Sequence, residues 1–401
     1  MSDRVSTVGM YSQALTAMLA RQADVARAQL QLSSNSKLLS AADDPVGAGM
    51  AVMLDRASAE LDRYQTNAGS VGNRLNLEET ALASAGDRLT RIRELAVQAS
   101  NDTQSTSSRN AIVDELKQIY QGLIADANSG DGSGHYLFAG SQDASAPFAQ
   151  GAGGVTYSGD QVQRRVDISS SVAVDDTDPG SEVFQRIRSG NGTFAARAAA
   201  GNTGSLVLTA SSLANPATWT GGSYNVTFDG AGNYQVTDAS STVVASGAYT
   251  PGTAIQFAGT SLTFDGAPAA GDSFSVKPAP NQDVFATVKN LIDAASAPNS
   301  TAAQKAAQRN GFYAALEDLD QAQTHLIDVR AGVGARLNTL DTTATERDAQ
   351  SVTLKTTLSG LRDLDYTEAA SRLSLQMTAL QAAQQTFQKV HSSSLFDFLR
   401  G

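Results

Sequence analysis

Apolar residues recur at alternating steps of three and four near both ends of the chain, and this periodicity constrains the fold more than any other feature. Near the amino terminus the apolar residues in phase are Val8, Tyr11, Leu15, Met18, Val25 and Leu32, and the polar Gln22 and Gln29 complete the phase. Near the carboxyl terminus they are Ala370, Leu373, Met377, Leu380, Gln384, Phe387 and Val390. Such spacing is typical of a helix with one apolar stripe, either in a coiled coil or on an ordinary core. Because the two stripes match, we predict that the terminal helices pair with each other as a coiled coil.

Helical periodicity also fills the regions next to the two ends. One run extends from about Val46 to Asn101, and another extends from about Ser107 to Ala127. The polar loop between them places the N-cap of the second run at Ser107 or Ser108. Helix is predicted again from about Gln282 onwards.

The middle of the chain is predicted to be β structure. After Asn128 the sequence becomes rich in glycine, and short alternating segments are separated by Asp-Gly turns. The predicted strands are Val155–Tyr157, Gln163–Ile168, Ser205–Thr209, Tyr224–Phe228, Tyr234–Thr237, Ile255–Phe257, Leu262–Phe264 and Phe274–Val276. No Lys or Arg occurs from Ala198 to Val276, which indicates a separate small module.

The fold class is therefore predicted as mainly α with an inserted β domain. The parts are a coiled coil of the terminal helices, an elongated helical-bundle rod and an outer β module. The predicted segments are 1–40 for the N-terminal coiled-coil helix, 41–133 for the first half of the rod, 134–280 for the β-rich outer domain with an extra insert at about 200–277, 281–364 for the second half of the rod, and 365–401 for the C-terminal coiled-coil helix.

Composition excludes several classes of function. With 29 basic and 40 acidic residues the net charge is −11, which disfavours nucleic acid and anionic membrane surfaces as partners. No cysteine is present, so disulfides, thiol nucleophiles and cysteine zinc sites are excluded. The three histidines, His135, His325 and His391, lie far apart in sequence. No run approaches eighteen apolar residues, so no membrane span is predicted. We predict no catalytic, cofactor or metal site, and no enzyme.

An acidic pair interrupts the helical pattern, and it has two interpretations. Asp43 and Asp44 precede Pro45, and they would be either a catalytic pair or a turn between helices. Adjacent carboxylates point in different directions, and Asp followed by Pro is a typical helix start. We therefore predict a structural turn formed by Asp43, Asp44 and Pro45. Asp365, followed by Glu368, is likewise predicted as the N-cap of the last helix.

A glycine-rich segment later in the chain resembles a ligand-binding loop only in composition. "GDGSGHYLFAG" lacks the Gly-Lys-Ser/Thr ending of a phosphate-binding loop. An EF-hand fitted from Asp126 fails as well, because its sixth position would be Asp131 and its twelfth Leu137. A crossover from helix to strand is the preferred interpretation.

One helix pair cannot bury enough apolar surface to offset the entropy of ordering both ends. We therefore predict that the pair packs against copies of itself. The predicted assembly residues are Val8, Tyr11, Leu15, Met18, Val25, Leu32, Leu373, Met377, Leu380, Phe387, Val390, Leu395 and Phe396.

Four segments together resemble a known family. They are "LSSNSKLLSAADDPVGAGMAV", "GHYLFAG" at Gly134–Gly140, "SAPF" at Ser145–Phe148 and the ending "LQAAQQTFQKVHSSSLFDFL". These segments are similar to those of the flagellin-like family. Within it, Asp44-Pro45-Val46 is closer to the hook–filament junction proteins, the third hook-associated proteins, than to flagellin. The resemblance covers about residues 1–175 and 281–401 and leaves about 200–277 unmatched.

The resemblance implies a structural role in bacterial motility. Subunits would form a ring of about eleven copies between the first hook-associated protein and flagellin. The chain would be extracellular, at the hook–filament junction, after type III export without a cleaved signal peptide. A cytoplasmic export chaperone would cover the C-terminal helix before export.

Two alternatives remain open at this point. The first is flagellin itself, the filament subunit, which has the same terminal helices. The second is a secreted adhesive or carbohydrate-binding module on a helical stalk. That function requires aromatic side chains on an exposed strand face, and Tyr224, Phe228 and Tyr234 are available for it.

Overall fold

The computed structural model describes residues 7–101 and 104–392. Long helices flank a central β region in these ranges, so the predicted fold class is confirmed. The helices are α1 Thr7–Ser34, α2 Pro45–Ala99, α3 Thr106–Ala127, α4 Val284–Ser296, α5 Ala302–Arg362 and α6 Tyr366–Ser392. Within the described ranges, no helix is both long and apolar enough to span a bilayer.

Short strands fill the region between α3 and α4. The strands are β1 Phe148–Gly151, β2 Gly154–Tyr157, β3 Arg165–Asp167, β4 Ala173–Asp175, β5 Ile187–Arg188, β6 Phe194–Ala198, β7 Val207–Leu213, β8 Tyr224–Phe228, β9 Asn233–Asp238, β10 Val243–Ala248, β11 Ala254–Phe257, β12 Thr260–Asp265, β13 Ser273–Pro278 and β14 Asn281–Gln282. Each of the eight predicted strands overlaps an observed one.

The chain forms two compact units. The terminal unit consists of the described parts of Met1–Thr66 and Thr343–Gly401, and the central unit consists of Asn67–Thr342. The terminal unit therefore contains α1, α6, the start of α2 and the end of α5. All fourteen strands belong to the central unit.

Helices α1 and α6 pack against each other in the terminal unit. The ring centroids of Tyr11 and Phe387 are 5.2 Å apart, and the Tyr366 hydroxyl donates to the Leu32 carbonyl at 3.2 Å. The start of α1 thus meets the end of α6, so the helices are antiparallel. The predicted pairing of the two terminal helices is confirmed.

The helices of the central unit enclose one continuous apolar core. Helices α2 and α5 run antiparallel there, because Glu79 pairs with Arg330 and Thr90 bonds to Gln323. Phe285 of α4 is fully buried in this core. Its ring centroid lies 5.3 Å from that of Phe148, with the rings of Tyr120 and Phe184 also within packing distance.

The inserted module has its own core between two antiparallel sheets. One sheet has the order β10-β9-β8-β13-β6 and the other the order β11-β12-β7. Trp219 is partly buried against this second core, 5.5 Å from the ring of Phe194. The module joins the rest of the chain where β5 pairs with β14.

The N-cap predicted for α3 is wrong by two or three residues. The cap is Ser105, whose side chain accepts a hydrogen bond from the Ser108 backbone N–H at 3.1 Å. Ser105, Ser107 and Ser108 are chemically equal candidates in the sequence. Only the extended backbone at Ser105, with φ −68° and ψ 158°, distinguishes the true cap.

Candidate assembly surface

The apolar seam of α1 faces α6 much as the periodicity predicts. Val25 is buried, and Leu15, Met18 and Leu32 are half-buried. Tyr11 is 41% exposed, although its ring contacts that of Phe387. Val8 lies in the helix, but its side chain is outside the described residues.

The seam of α6 differs from the predicted one at three positions: Ala370, Met377 and Gln384 are exposed, and the residue before each of them is turned inward. The positions turned towards α1 are Ala369, Leu373, Gln376, Leu380, Ala383 and Phe387. Met377, predicted for this seam, is 45% exposed, and Gln376 takes the inward place. With 3.6 residues per turn either neighbour satisfies the spacing, and apolarity alone favours the wrong one. The side chain of Val390 and all of Leu395 and Phe396 lie outside the described residues.

The acidic pair lies in the turn between α1 and α2, and both carboxylates bind backbone N–H groups. Asp44 is the cap of α2: its Oδ1 accepts the Gly47 N–H at 2.9 Å, and Pro45 is the first helical residue. Asp43 accepts the N–H groups of Ser40 at 2.9 Å and Leu39 at 3.2 Å. The hydrogen bond from the Ser40 N–H lowers the pKa of Asp43. Neither carboxylate is therefore arranged as one half of a catalytic pair.

Large apolar side chains of the terminal unit remain exposed to an unusual degree. Leu19 and Leu30 of α1 are 53% and 59% exposed, and Leu375 of α6 is 72% exposed. At the start of α2, Val46 and Met53 are 80% and 65% exposed. Contiguous exposed apolar groups are typical of interaction surfaces, which makes the terminal unit the candidate assembly surface.

On α1 and on α6, exposed residues recur with the spacing of a helical face. On α1, Leu19, Ala23, Ala26 and Leu30 follow steps of four, three and four, and all four are exposed. On α6, Leu375, Ala379, Ala382 and Thr386 follow the same steps and are exposed as well. We call these two sets the outer stripes. Their spacing is that of a second helix–helix seam, and small residues in the middle allow close approach.

The terminal unit also buries little. Its buried apolar residues in the described part of the chain are Val25, Ala28, Ala51, Tyr64 and Ala369. The continuous core cluster consists of residues between Ala68 and Leu340, all in the central unit. A single copy therefore leaves the terminal unit without a core of its own as far as the described residues extend.

The structure contradicts the aromatic platform required for the carbohydrate-binding alternative. Phe228 is 2% exposed and Tyr224 is 9% exposed, because both side chains point into the core of the inserted module. Tyr234 is half-buried against the same core. Alternation along a strand shows which residues share a face, but it does not show which face is covered.

His135 and His325 make ordinary contacts in the structure. His135 Nδ1 lies 2.9 Å from Asp143 Oδ1 at the surface, and His325 Nε2 lies 2.7 Å from the Glu182 carbonyl oxygen. The side chain of His391 is not among the described ones. Among the residues that the structure describes, no group of three or more acidic or histidine side chains could hold a metal ion.

Three family models match successive parts of the chain. The bacterial flagellin N-terminal helical region matches residues 5–143, and the flagellin C-terminal helical region matches residues 316–399. Between them, residues 197–278 match the D2-like domain of flagellar hook-associated protein 1. This last match covers the insert that the sequence motifs leave unassigned.

Solved structures decide the family. The chain has 43% sequence identity to FlgL of Xanthomonas campestris, covering 76% of this chain and 99% of that one, with a TM-score of 0.72. The chain belongs to the flagellar hook-associated protein 3 (FlgL) family. The resemblance of the terminal motifs is thereby confirmed.

Other FlgL proteins agree with this assignment. A structure described as the flagellar junction protein FlgL from Legionella pneumophila has 31% identity, covers 78% of this chain and all of that one, and gives a TM-score of 0.71. Hook-associated protein 3 of Escherichia coli is 23% identical over 98% of both chains. The Salmonella typhimurium protein is 31% identical over 46% of this chain, and the match spans 58% of that protein. Flagellins match less of the chain. The flagellin of Clostridium tyrobutyricum, for example, is 31% identical over 33% of this chain. The family is therefore that of the junction proteins, as predicted, rather than that of the filament subunits.

Proposed function

We propose that this chain is a structural adaptor that closes into a ring through its terminal unit. The ring of about eleven copies joins the hook, through the first hook-associated protein, to the flagellin filament. The ring lies outside the cell, and each chain reaches this location by type III export without a cleaved signal peptide. The predicted segments 1–40 and 365–401 form the assembling part.

The observation that carries this proposal is the contrast between the two units. The central unit has a continuous core, whereas the terminal unit exposes its outer stripes and buries few apolar side chains. Burying a large apolar side chain contributes about 1.5 to 3 kcal/mol, so contact with further copies stabilises this unit. In a closed ring the α1 stripe of one copy meets the α6 stripe of the next, and no stripe is left without a partner.

Substitutions in the outer stripe test the proposal. The double change Leu19→Ser and Leu30→Ser removes the two large side chains of the α1 stripe without touching the α1–α6 seam. Cells with this variant should shed flagellin into the medium instead of building filaments. The matched control is Val97→Ser, an exposed apolar residue of the central unit, 54% exposed, which should leave filaments intact. Normal filaments in the double variant, or after deletion of residues 366–401, would refute the adaptor role.

Copy number separates this function from that of a filament subunit. Immunogold labelling of isolated flagella should mark one point between hook and filament. Labelling along the whole filament would instead indicate flagellin.

The exposed side chains of α6 also support the export step. Leu375 and Met377 are 72% and 45% exposed in a single copy, as in a chain that has not yet assembled. The cytoplasmic chaperone covers this face before export and leaves it free for the neighbouring subunit afterwards.

A further inference from the structure

A buried carboxyl group lies in the central unit. Glu78 of α2 is 0% exposed. Its Oε1 accepts the backbone N–H of Asp178 at 3.0 Å. Its Oε2 is buried and has no hydrogen-bond partner among the described residues. An ionised carboxylate in this place would keep a charged oxygen without any donor, which is costly.

The charged groups around Glu78 come from four elements. Asp176 and Asp178, from the segment between β2 and β5, and Arg336 of α5 act directly on Glu78. Arg74 of α2, Asp131 after α3 and Arg164 join them through ion pairs. Arg74 Nη1 lies 2.8 Å from Asp131 Oδ2, and its Nε lies 3.2 Å from Asp176 Oδ2. Arg164 Nε lies 2.8 Å from the same Asp176 oxygen. Arg336 pairs with the Asp178 carboxylate.

An ionised Glu78 would add to an excess of negative charge. Arg74, Arg164 and Arg336 already pair with Asp131, Asp176 and Asp178, and Arg164 also lies 3.7 Å from Asp143 Oδ2, so the aspartates of this network outnumber its arginines even when Glu78 is neutral. Burial, together with the neighbouring carboxylate of Asp178, raises the pKa of Glu78 to about 8, against the opposing effects of the Asp178 N–H and of Arg336.

The segment that Glu78 binds lies between two long helices. On the α2 side, Glu78 accepts the Asp178 N–H; on the α5 side, Arg336 binds the Asp178 carboxylate and donates to the Asp175 carbonyl at 3.4 Å. The next residues enter the core: the Gly180 N–H donates to the Phe138 carbonyl at 2.8 Å, and Phe184 is buried. The chain then passes through a π-helical turn, Ser181–Gln185, to β5, where the inserted module begins.

We propose that residues 175–180 form a proton-dependent clasp between α2 and α5. The proton on Glu78 keeps the clasp closed. When Glu78 ionises, its unpaired oxygen repels the carboxylates of Asp176 and Asp178, and the segment opens to let water reach it. Opening becomes easier as pH rises from the ordinary Glu value towards about 8, because over this range the open form releases a proton that the closed form holds. Above that pH both forms are ionised, and opening depends on pH no further.

Hydrogen exchange on the full chain tests the clasp. After correction for intrinsic exchange rates, the protection of the Asp178 amide should fall about tenfold per pH unit between pH 6 and pH 8. The substitution Glu78→Gln keeps the acceptor and removes the proton, so its protection should not vary with pH. The matched control is Glu79→Gln, which changes the neighbouring carboxylate that pairs with Arg330 and should retain the wild-type slope.

A second variant keeps the test decisive if Glu78→Gln does not fold. Asp178→Asn removes the nearest carboxylate and frees Arg336, so the pH dependence should level off at a lower pH. The carboxyl ¹³C shift of Glu78 in the wild type should titrate far above the ordinary Glu range. A flat wild-type profile, a wild-type slope in Glu78→Gln, or titration of Glu78 near its ordinary pKa would overturn the proposal.

Discussion

Asp44 and Asp43 bind neighbouring backbone groups through contacts that span at most four residues. Such local contacts are readable from sequence, which is why a turn is predicted there. Glu78 is the opposite case. The residues that surround it, Asp178 and Arg336, follow it by 100 and 258 positions, and nothing near Glu78 in the sequence indicates burial. Local chemistry is visible in the sequence, whereas charge balance in a folded interior depends on the tertiary structure.

Removal of the capping carboxylate of Asp44 should destabilise the start of α2. Asp44→Ala leaves the Gly47 N–H without its acceptor, and the first turn of α2 should lose about 1 kcal/mol of stability. The measurement is hydrogen exchange of the amides in that turn. Asp44→Ser, which retains a capping oxygen, should restore most of the protection. If alanine and serine behave alike, the carboxylate does not act as a cap.

Helix α5 connects the inserted module to the helical core through buried polar side chains. Asn310, 8% exposed, bonds to the backbone on either side of Val207, the first residue of β7: its amide donates to the Leu206 carbonyl at 2.9 Å and accepts the Leu208 N–H at 2.8 Å. Asp318 accepts the Gly190 N–H at 2.6 Å and pairs with Arg197 at the same distance. The module is thus held by specific hydrogen bonds as well as by apolar contact.

Removal of the Asn310 amide should loosen the module without unfolding it. Asn310→Ala removes the partner of the buried Leu206 carbonyl and of the buried Leu208 N–H, which costs about 1 to 3 kcal/mol. Limited proteolysis should then cut the segments on either side of the module faster, whereas the helices around Phe285 stay resistant. Asn338→Ala, an exposed change on the same helix, is the control. Equal proteolysis of the two variants would contradict the docking role.

Periodicity predicted the helices and the more regular strands but not every element. β6, Phe194–Ala198, contains three alanines, is buried at three consecutive positions, and shows no alternation. β10, Val243–Ala248, is exposed at five of its six positions, so it also shows no alternation, here because neither face is covered. A strand pattern is visible only where one face is covered and the other is not. The wrong prediction of Met377 instead of Gln376 as the inward residue of α6 has a similar cause, since the packing of α1 decides which of two adjacent residues points inward.

In the whole molecule, the buried apolar residues are divided unequally between the two units. The central unit holds the continuous core, and the module holds a second one. Of the described residues in the terminal unit, none belongs to either core. The overall helical class and the pairing of the ends follow from sequence, but this division follows only from the burial of each residue.

Hydrogen exchange of a dilute single copy should therefore separate the two units. Amides of α1 and α6 should exchange quickly, because the helix pair alone gains too little from burial to hold its hydrogen bonds closed. Amides around Leu75, Leu116 and Phe285 should exchange at the slow rate set by global unfolding. Assembly should then slow exchange in α1 and α6 while leaving the central unit unchanged. Equal protection of both units in the lone molecule would contradict the assembly argument.

The two-residue ladder at the root of the module has an evolutionary consequence. Ile187 and Arg188 pair with Asn281 and Gln282, so the chain leaves the helical scaffold and returns to it at one spot. Partners across such a ladder are only about 5 Å apart. An unrelated fold with equally close termini can be spliced into this gap, or the gap can be closed by a short hairpin, and the helices keep their spacing. Lineages can therefore exchange or lose this module by a single splice while the helical scaffold stays the same.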